Sequence, residues 1–574
     1  MTDWTGSRLP VFFEAPEQQP DHRPIEVDDD TTPRTLVLRT MFGSPSRTLP
    51  AGLLIVGHQV GEALVPVVMG LAIDRAIKTG DWGSTVRWVL VLAVLFALLS
   101  FSFRFGSRIG FLGMNTVQHR LRTQVTDRIL DPRGLGGGHP PGVLLSIATS
   151  DVQRLAMSVA LGLYPVGELA AIVFCGVVLL SISWQLGLLV LLGAPAMLWC
   201  LDKAGAALRA RSEAEQRAAG EAAGSAADLV AGLRVVKGMH AEREADRRYR
   251  SASARALSAV IRARRSEGAY VGSMEAVAAV FVVLVGVLAG VQAVHGDLSV
   301  GQLITVVGLT QVVMSPLQAM GTNVGKAWVA GNASAKRVLM VLQAPYARDA
   351  GTVAEHDGAV PVRITGLPVD GGTVDLELPP VGVTAIVCAP GTATVATTLL
   401  ARTGAPAPGR SVTVGTTDLY RLDEPAALRA VRVAPHATTL FEGTVADNVG
   451  AGAVPDRVAA ALLAAACDDV LEVLPNGLET PVGEAGRLLS GGQRQRVALA
   501  RALATETRTL VLVDPTSAVD SVTEAAIAER LGPARAGLAT VVFTQSPTLI
   551  AAADTVLTLS RDGEIVTAAP EVRA

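Results

Sequence analysis

Four consecutive residues are the best placed to do chemistry. Ser490, Gly491, Gly492 and Gln493 stand inside LLSGGQRQRVALARAL, residues 488–503, where a Ser-Gly-Gly run opens an Ala/Arg-rich helical pattern. A hydroxyl and unshielded backbone N–H groups at a helix N-terminus make an anion site, and the macrodipole adds to it, so the pattern suits a phosphate. Glycine lacks the Cβ that would hold the ligand away. A second phosphate element is expected where the apolar strand VTAIV runs into CAPGTATVATTLL, residues 388–400. A phosphate cradle needs glycines for close backbone approach, a lysine to neutralise charge and a hydroxyl for Mg²⁺. Gly391 is the one glycine in that run, Thr392, Thr397 and Thr398 are its candidate hydroxyls, and no lysine exists beyond Lys336. The strand and the turn are in place; the charge is missing.

The elements that must position these groups fall into two classes. Of 574 residues, 50 % are hydrophobic and 18 % charged, with a mean hydropathy of +0.41 and only 4 % aromatics. Such Ala/Val/Leu/Gly richness belongs to packed membrane helices rather than an aqueous core. Six apolar stretches, near 49–76, 88–113, 157–183, 186–202, 270–294 and 302–323, approach the length of about 20 residues that crosses hydrocarbon. The segment 203–265 carries fourteen Lys or Arg, whereas the connections near 184 and 293–300 carry none. The positive-inside rule therefore predicts a multi-pass protein with 114–155, 203–265 and both termini in the cytoplasm. Residues 1–35 read as a disordered cytosolic tail, 36–325 as the membrane domain, 326–345 as a linker helix and 346–574 as a βα-alternating nucleotide-binding domain. A net charge of −3 gives no basic field for nucleic acid, and four dispersed cysteines form neither a disulfide framework nor a zinc site. No metal site is expected in the chain. Heavy arginine usage with Ala, Gly and Val suggests a GC-rich bacterial genome.

The string 488–503 resembles the signature of ATP-binding cassette (ABC) ATPases. SAVD, residues 517–520, resembles their D-loop with Asp520 at its end, and LPNGLETPVGEAG, residues 474–486, resembles the segment before the signature. In the membrane part PGVLLSIATSDV (141–152), GLRVVKGMHAERE (232–244) and GDLSVGQLIT (296–305) resemble half-size ABC exporters. The resemblance implies six transmembrane helices, all-α, fused to a cytoplasmic α/β P-loop NTPase domain, with ATP and Mg²⁺ held mainly at a composite site. In that family each signature serves ATP held by the P-loop of a partner subunit, and short helix tips of the cytoplasmic loops dock on nucleotide-binding domains. For the second loop the tip is expected near 211–221.

Set against the family pattern, the elements that act within one chain fail together. Val513 stands where the metal-coordinating Asp belongs, Asp514 where the catalytic Glu belongs, Gln545 at the switch His and His436 at the Q-loop Gln, and no aromatic occurs between Tyr346 and Tyr420 to stack an adenine. Asp is one methylene short for polarising a water. A homodimer would duplicate the defect. The expectation is a heterodimer, of actinobacterial type, whose second half-transporter brings intact Walker A, Walker B and switch His. This chain would contribute Ser490, Gly491, Gly492, Gln493 and Asp520, and alone would be inactive.

Charges inside the apolar stretches point to the transport path. Glu62 and Glu275 are the substrate candidates, Glu168 is a further intramembrane acid, and Arg104 and Arg108, one turn apart, are expected to pair with an acid on a neighbouring helix. The expected cargo is a hydrophobic or amphipathic small molecule, drug, lipid or peptide, exported across the bacterial inner membrane. The alternatives are an exporter-fold importer of a siderophore-like substrate and a non-transporting regulatory subunit.

Overall fold

The computed structural model describes residues 23–568 apart from 78–79, 205, 321–323, 355–357, 359, 437–438, 452, 454 and 561–563. The chain divides into two compact units, one of residues 1–126 with 141–343, the other of 127–140 with 344–574.

The first unit is helical throughout its described part. Five helices are long and apolar enough to cross a membrane: Pro45–Ala76, Trp82–Ile129, Pro141–Ile182, Glu242–Val294 and Val300–Ala319. The sixth expected span is the helix Trp184–Ala204, whose described apolar part is the shorter Trp184–Ala196. At 1.5 Å per residue the 53-residue helix Glu242–Val294 is about 80 Å long, well beyond a hydrocarbon core of about 30 Å. Its polar N-terminal half packs on the helix Ala206–Ala231 and is tied to it by Arg211 to Ser266 and by Arg264 to Glu215, 3.9 Å.

Small residues set the closest crossing. A Cβ on Gly70 would lie 2.4 Å from the Gly301 carbonyl, so glycine is required where Pro45–Ala72 meets Val300–Ala319. Asp74 accepts from Ser299 Oγ and from the Gly301 N–H, 3.1 Å, and caps that helix from its neighbour. On another face Asp151, almost fully buried, receives Arg337 at 3.1 Å and Ser334 Oγ at 3.2 Å, which clasps the π-turn Ile147–Asp151 to the helix Gly325–Leu342.

Two expectations change here. Residues 23–35 are held rather than loose: Ile25 is buried and its carbonyl accepts from Gln124, while Gln343 Nε2 donates to the carbonyls of Asp28, Asp29 and Thr31. Residues 1–22 lie outside the described part. The second-loop tip is not at 211–221, which lies within the helix Ala206–Ala231; the chain reverses at 232–241, through the short helix Leu233–Gly238. Ala-rich sequence propagates a helix through 211–221, and Gly232 ends it.

The second unit holds two sheets. Strands β1 (Val362–Val369), β2 (Gly372–Leu378), β4 (Ser411–Val414) and β5 (Thr417–Asp418) form an antiparallel sheet in the order β2-β1-β4-β5. Strands β3 (Gly382–Val387), β6 (Val431–Ala434), β7 (Thr509–Val513), β8 (Ala539–Phe543), β9 (Thr555–Leu559) and β10 (Ile565–Ala568) form the second, in the order β10-β9-β3-β8-β7-β6, parallel except at β10. β7 and β8 are buried on both faces, which is why TLVLV and ATVVF read as continuous apolar runs. The segment 127–140 joins this unit through Tyr346, whose ring lies between the guanidinium groups of Arg128 and Arg133 at 3.9 and 3.4 Å.

Candidate functional site

In open parallel sheets ligands bind beyond the carboxyl ends of the strands. Among the helix N-termini described there, those of Gly491–Leu503 and Pro390–Leu400 are built differently.

The first opens the helix Gly491–Leu503. Ser490 is its N-cap, and its hydroxyl accepts from the Gln493 N–H at 3.2 Å while Gln493 Oε1 accepts from the Ser490 N–H at 2.9 Å, a closed capping box. Ser490 and Gly491 remain exposed, and nothing crowds Gly491. A Cβ on Gly492 would sit 2.9 Å from the Ala518 carbonyl, so glycine is needed for the helix to approach the loop 514–520. Sequence reasoning overlooked the residue that ties them. Gln495 is buried; its Nε2 donates to the Asp514 carbonyl at 3.1 Å and to Ser517 Oγ at 3.0 Å, and its Oε1 accepts from the Ala518 N–H at 2.7 Å. The available signal was its position two residues after Gln493, on the inner side of an amphipathic helix. Asp520 closes the loop as the N-cap of the helix Ser521–Ala534, accepting from the N–H groups of Val522 and Thr523 at 3.1 and 3.0 Å. The Thr523 N–H holds its carboxyl below the ordinary value.

The second N-terminus follows β3. Only Cys388 and Ala389 separate Val387 from the helix Pro390–Leu400, whose N-cap Ala389 has no side-chain cap. Pro390 has no N–H, and the Ala393 N–H is already committed to the Ala389 carbonyl at 3.0 Å, which leaves the N–H groups of Gly391 and Thr392. A two-residue connector cannot wrap a β-phosphate. The expected hydroxyls are also committed. Thr392 donates to the Pro368 carbonyl at 3.0 Å, Thr394 to Pro390 at 2.8 Å, Thr397 to Ala393 at 2.8 Å and Thr398 to Thr394 at 2.7 Å. Thr397 and Thr398 lie two turns into the helix, so the structure does not bring them to the site with Gly391.

The remaining groups do not complete it. Gln545 donates from Nε2 to the Cys388 carbonyl at 3.0 Å, bridging β8 to the connector. Burial pushes the Cys388 thiol up to about 11, so it stays protonated. Asp514 sits at φ +42 with its N–H on the Phe543 carbonyl, and Val513 beside it is apolar. His436 is exposed just after β6; it lines a cavity together with Gln495, Val513 and Pro515 but makes no hydrogen bond to these groups among the described residues. The two flanking tyrosines are engaged elsewhere, Tyr346 between its arginines and Tyr420 through its hydroxyl on the Leu399 carbonyl at 3.0 Å. These residues do not fit an ATP·Mg²⁺ complex, whereas the Ser490 N-terminus fits a phosphate presented from outside.

In the helical unit Glu62, Glu275, Arg104 and Arg108 are exposed and Glu168 is half-buried. The expected pairing of Arg104 and Arg108 is not seen: both are exposed, and neither they nor the three acids make an ion pair among the described residues.

Comparison with known proteins agrees with this architecture. Residues 49–317 match the ABC transporter transmembrane region, and residues 373–517 match the ABC transporter family. The chain is 27 % identical over 522 residues to an ATP-dependent lipid A-core flippase of Thiobacillus denitrificans, covering 88 % of this chain and 89 % of that one. It is 28 % identical over 516 residues to a multidrug efflux ATP-binding/permease protein of Mycobacterium tuberculosis, covering 86 % of this chain and 42 % of that protein. A bacterial Atm1-family ABC exporter solved with ATP bound superimposes with a TM-score of 0.71 at 21 % identity, covering 92 % of this chain and 95 % of that one, which establishes the fold. With one transmembrane region followed by one nucleotide-binding domain in the ABC exporter fold, the chain is a multi-pass membrane ABC transporter of half-size exporter type.

Proposed function

We propose that this chain is the catalytically silent half of a heterodimeric, ATP-driven exporter of the bacterial inner membrane. It supplies Ser490, Gly491, Gly492, Gln493 and Asp520 to the single competent site and leaves its own pocket out of the cycle. The observation that carries this reading is the contrast between an open, capped Ser490 helix and a Pro390 helix with a two-residue connector, committed threonines and no lysine within reach. A second half-transporter with intact Walker A, Walker B and switch His would hold ATP and Mg²⁺. The exposed Ser490 N-terminus would meet the γ-phosphate, and its N–H groups would stabilise the charge that develops there. The distribution of basic residues supports cytoplasmic termini.

The cargo class follows from the relatives' printed activities, lipid A-core flipping and multidrug efflux, and from the apolar helices: an amphipathic lipid or small molecule. Glu62 and Glu275 remain the candidate contacts. The test is ATP hydrolysis by the purified chain in lipid, alone and with its partner. Background rates alone and drug- or lipid-stimulated turnover in the pair support the reading. Turnover by the lone chain at transport-ATPase rates overturns it.

A further inference from the structure

A cavity of about 170 Å³ lies between the ends of β6 and β7 and the helix Gly491–Leu503. One water needs only about 10–15 Å³, so several atoms fit. Arg432 from β6 and Arg501 from the helix both line it, and no carboxylate does among the described residues. Arg432 Nε and Arg501 Nη1 are buried without a hydrogen-bond partner among the described residues. The rest of Arg501 is anchored: Nη2 donates to the Thr439 carbonyl at 3.0 Å, and the guanidinium lies 5.5 Å from the Phe441 ring centre. Burial alone holds each guanidinium group below its ordinary value. A buried N–H without a partner is costly, and two cations that line one cavity favour an acceptor there.

We propose that Arg432 and Arg501 form a binding site for a small oxyanion of the phosphate class. Phosphate oxygens accept from both groups at once, which a chloride ion or a neutral ligand cannot do with the same geometry. Gln495 also lines the cavity. Because its amide fixes Ser517 and Ala518, an anion here stiffens the link between the signature helix and the loop that follows β7. The site therefore senses phosphate behind the signature helix, in a cavity that His436 and Val513 also line.

The experiment uses the full chain in detergent, with inorganic phosphate, sulfate or chloride at equal ionic strength, reading phosphorus NMR linewidth and thermal unfolding. Phosphate should broaden the free-phosphate signal and raise Tm by about 2–4 °C, as ligand linkage of about 1 kcal/mol does for a domain of this size. In Arg432→Met the broadening should vanish, the phosphate-dependent shift should be lost, and Tm without phosphate should rise because a buried uncompensated charge is gone. Arg432→Lys, which keeps charge but loses the Nε donor, should bind at least tenfold more weakly, and it serves if the Met variant does not fold. Equal shifts from chloride, or broadening that persists undiminished in either variant, would show an adventitious ion only and overturn the proposal.

Discussion

The helix at Ser490 and the helix at Pro390 begin beside the same sheet, yet one opens with a capping side chain and an exposed glycine and the other with an uncapped alanine and a proline. Ser490 has a side chain that caps, glycines after it and exposed neighbours; Ala389 cannot cap, Pro390 carries no N–H, and four threonine hydroxyls donate to backbone carbonyls. The difference teaches that a helix dipole alone does not make a phosphate site. Loop length, free donors and a neutralising cation must accompany it, and the Pro390 side has a two-residue connector and no lysine after Lys336.

The strongest way to break this contrast is at Ser490. With the partner present, Ser490→Arg should reduce ATP hydrolysis by about 100-fold or more, since it places bulk and removes the capping hydroxyl where developing charge must be held. A steady-state rate within threefold of wild type would mean that the signature is not the working surface. Gln495→Ala should follow, with a loss of about tenfold in the same assay. It removes three hydrogen bonds to the loop 514–518 and costs about 2–3 kcal/mol in chemical denaturation. Asp514→Ala, on the closed side, should change hydrolysis by less than about twofold, because neither cation nor phosphate ligand surrounds it. A large loss there would restore a catalytic role to the cis pocket.

Two further substitutions sharpen the frame around the sites. Asp151→Ala leaves Arg337 and Ser334 without their buried acceptor and should destabilise the helical unit by about 2–4 kcal/mol, read as a lower denaturation midpoint. The smallest effect concerns Asp131, whose carboxyl is held at about 2 by the Arg133 side chain against an ordinary 3.8. The folded value is the lower one, so this pair stabilises above about pH 3.8, and the contribution fades as pH falls towards 2. Asp131→Asn should flatten that part of the acid stability profile of the nucleotide-binding unit; an unchanged profile would remove Asp131 from the account.

Local patterns made much of the molecule legible. The Ser490 cap, the buried β7 and β8 runs, and the helices of membrane length follow from spacing and composition within a few residues. The Pro390 start was legible too, since proline favours the first turn of a helix. What stayed hidden depends on contacts between distant segments: the Gln545 bridge to Cys388 spans 157 residues, and the Arg432 and Arg501 cavity requires a strand and a helix to be packed together. The loop tip was misplaced because an Ala-rich run at 211–221 reads equally as a helix or as a short docking segment until Gly232 is seen to end it.

The central claim is that one nucleotide site works and that it is not in this chain. Its most direct measurement is the number of nucleotides trapped per heterodimer by vanadate during turnover, with photolabelling to find the chain that holds them. The account predicts one trapped nucleotide, labelled in the partner's P-loop, and no label between Cys388 and Leu400. Two trapped nucleotides, or label within that segment, would contradict it.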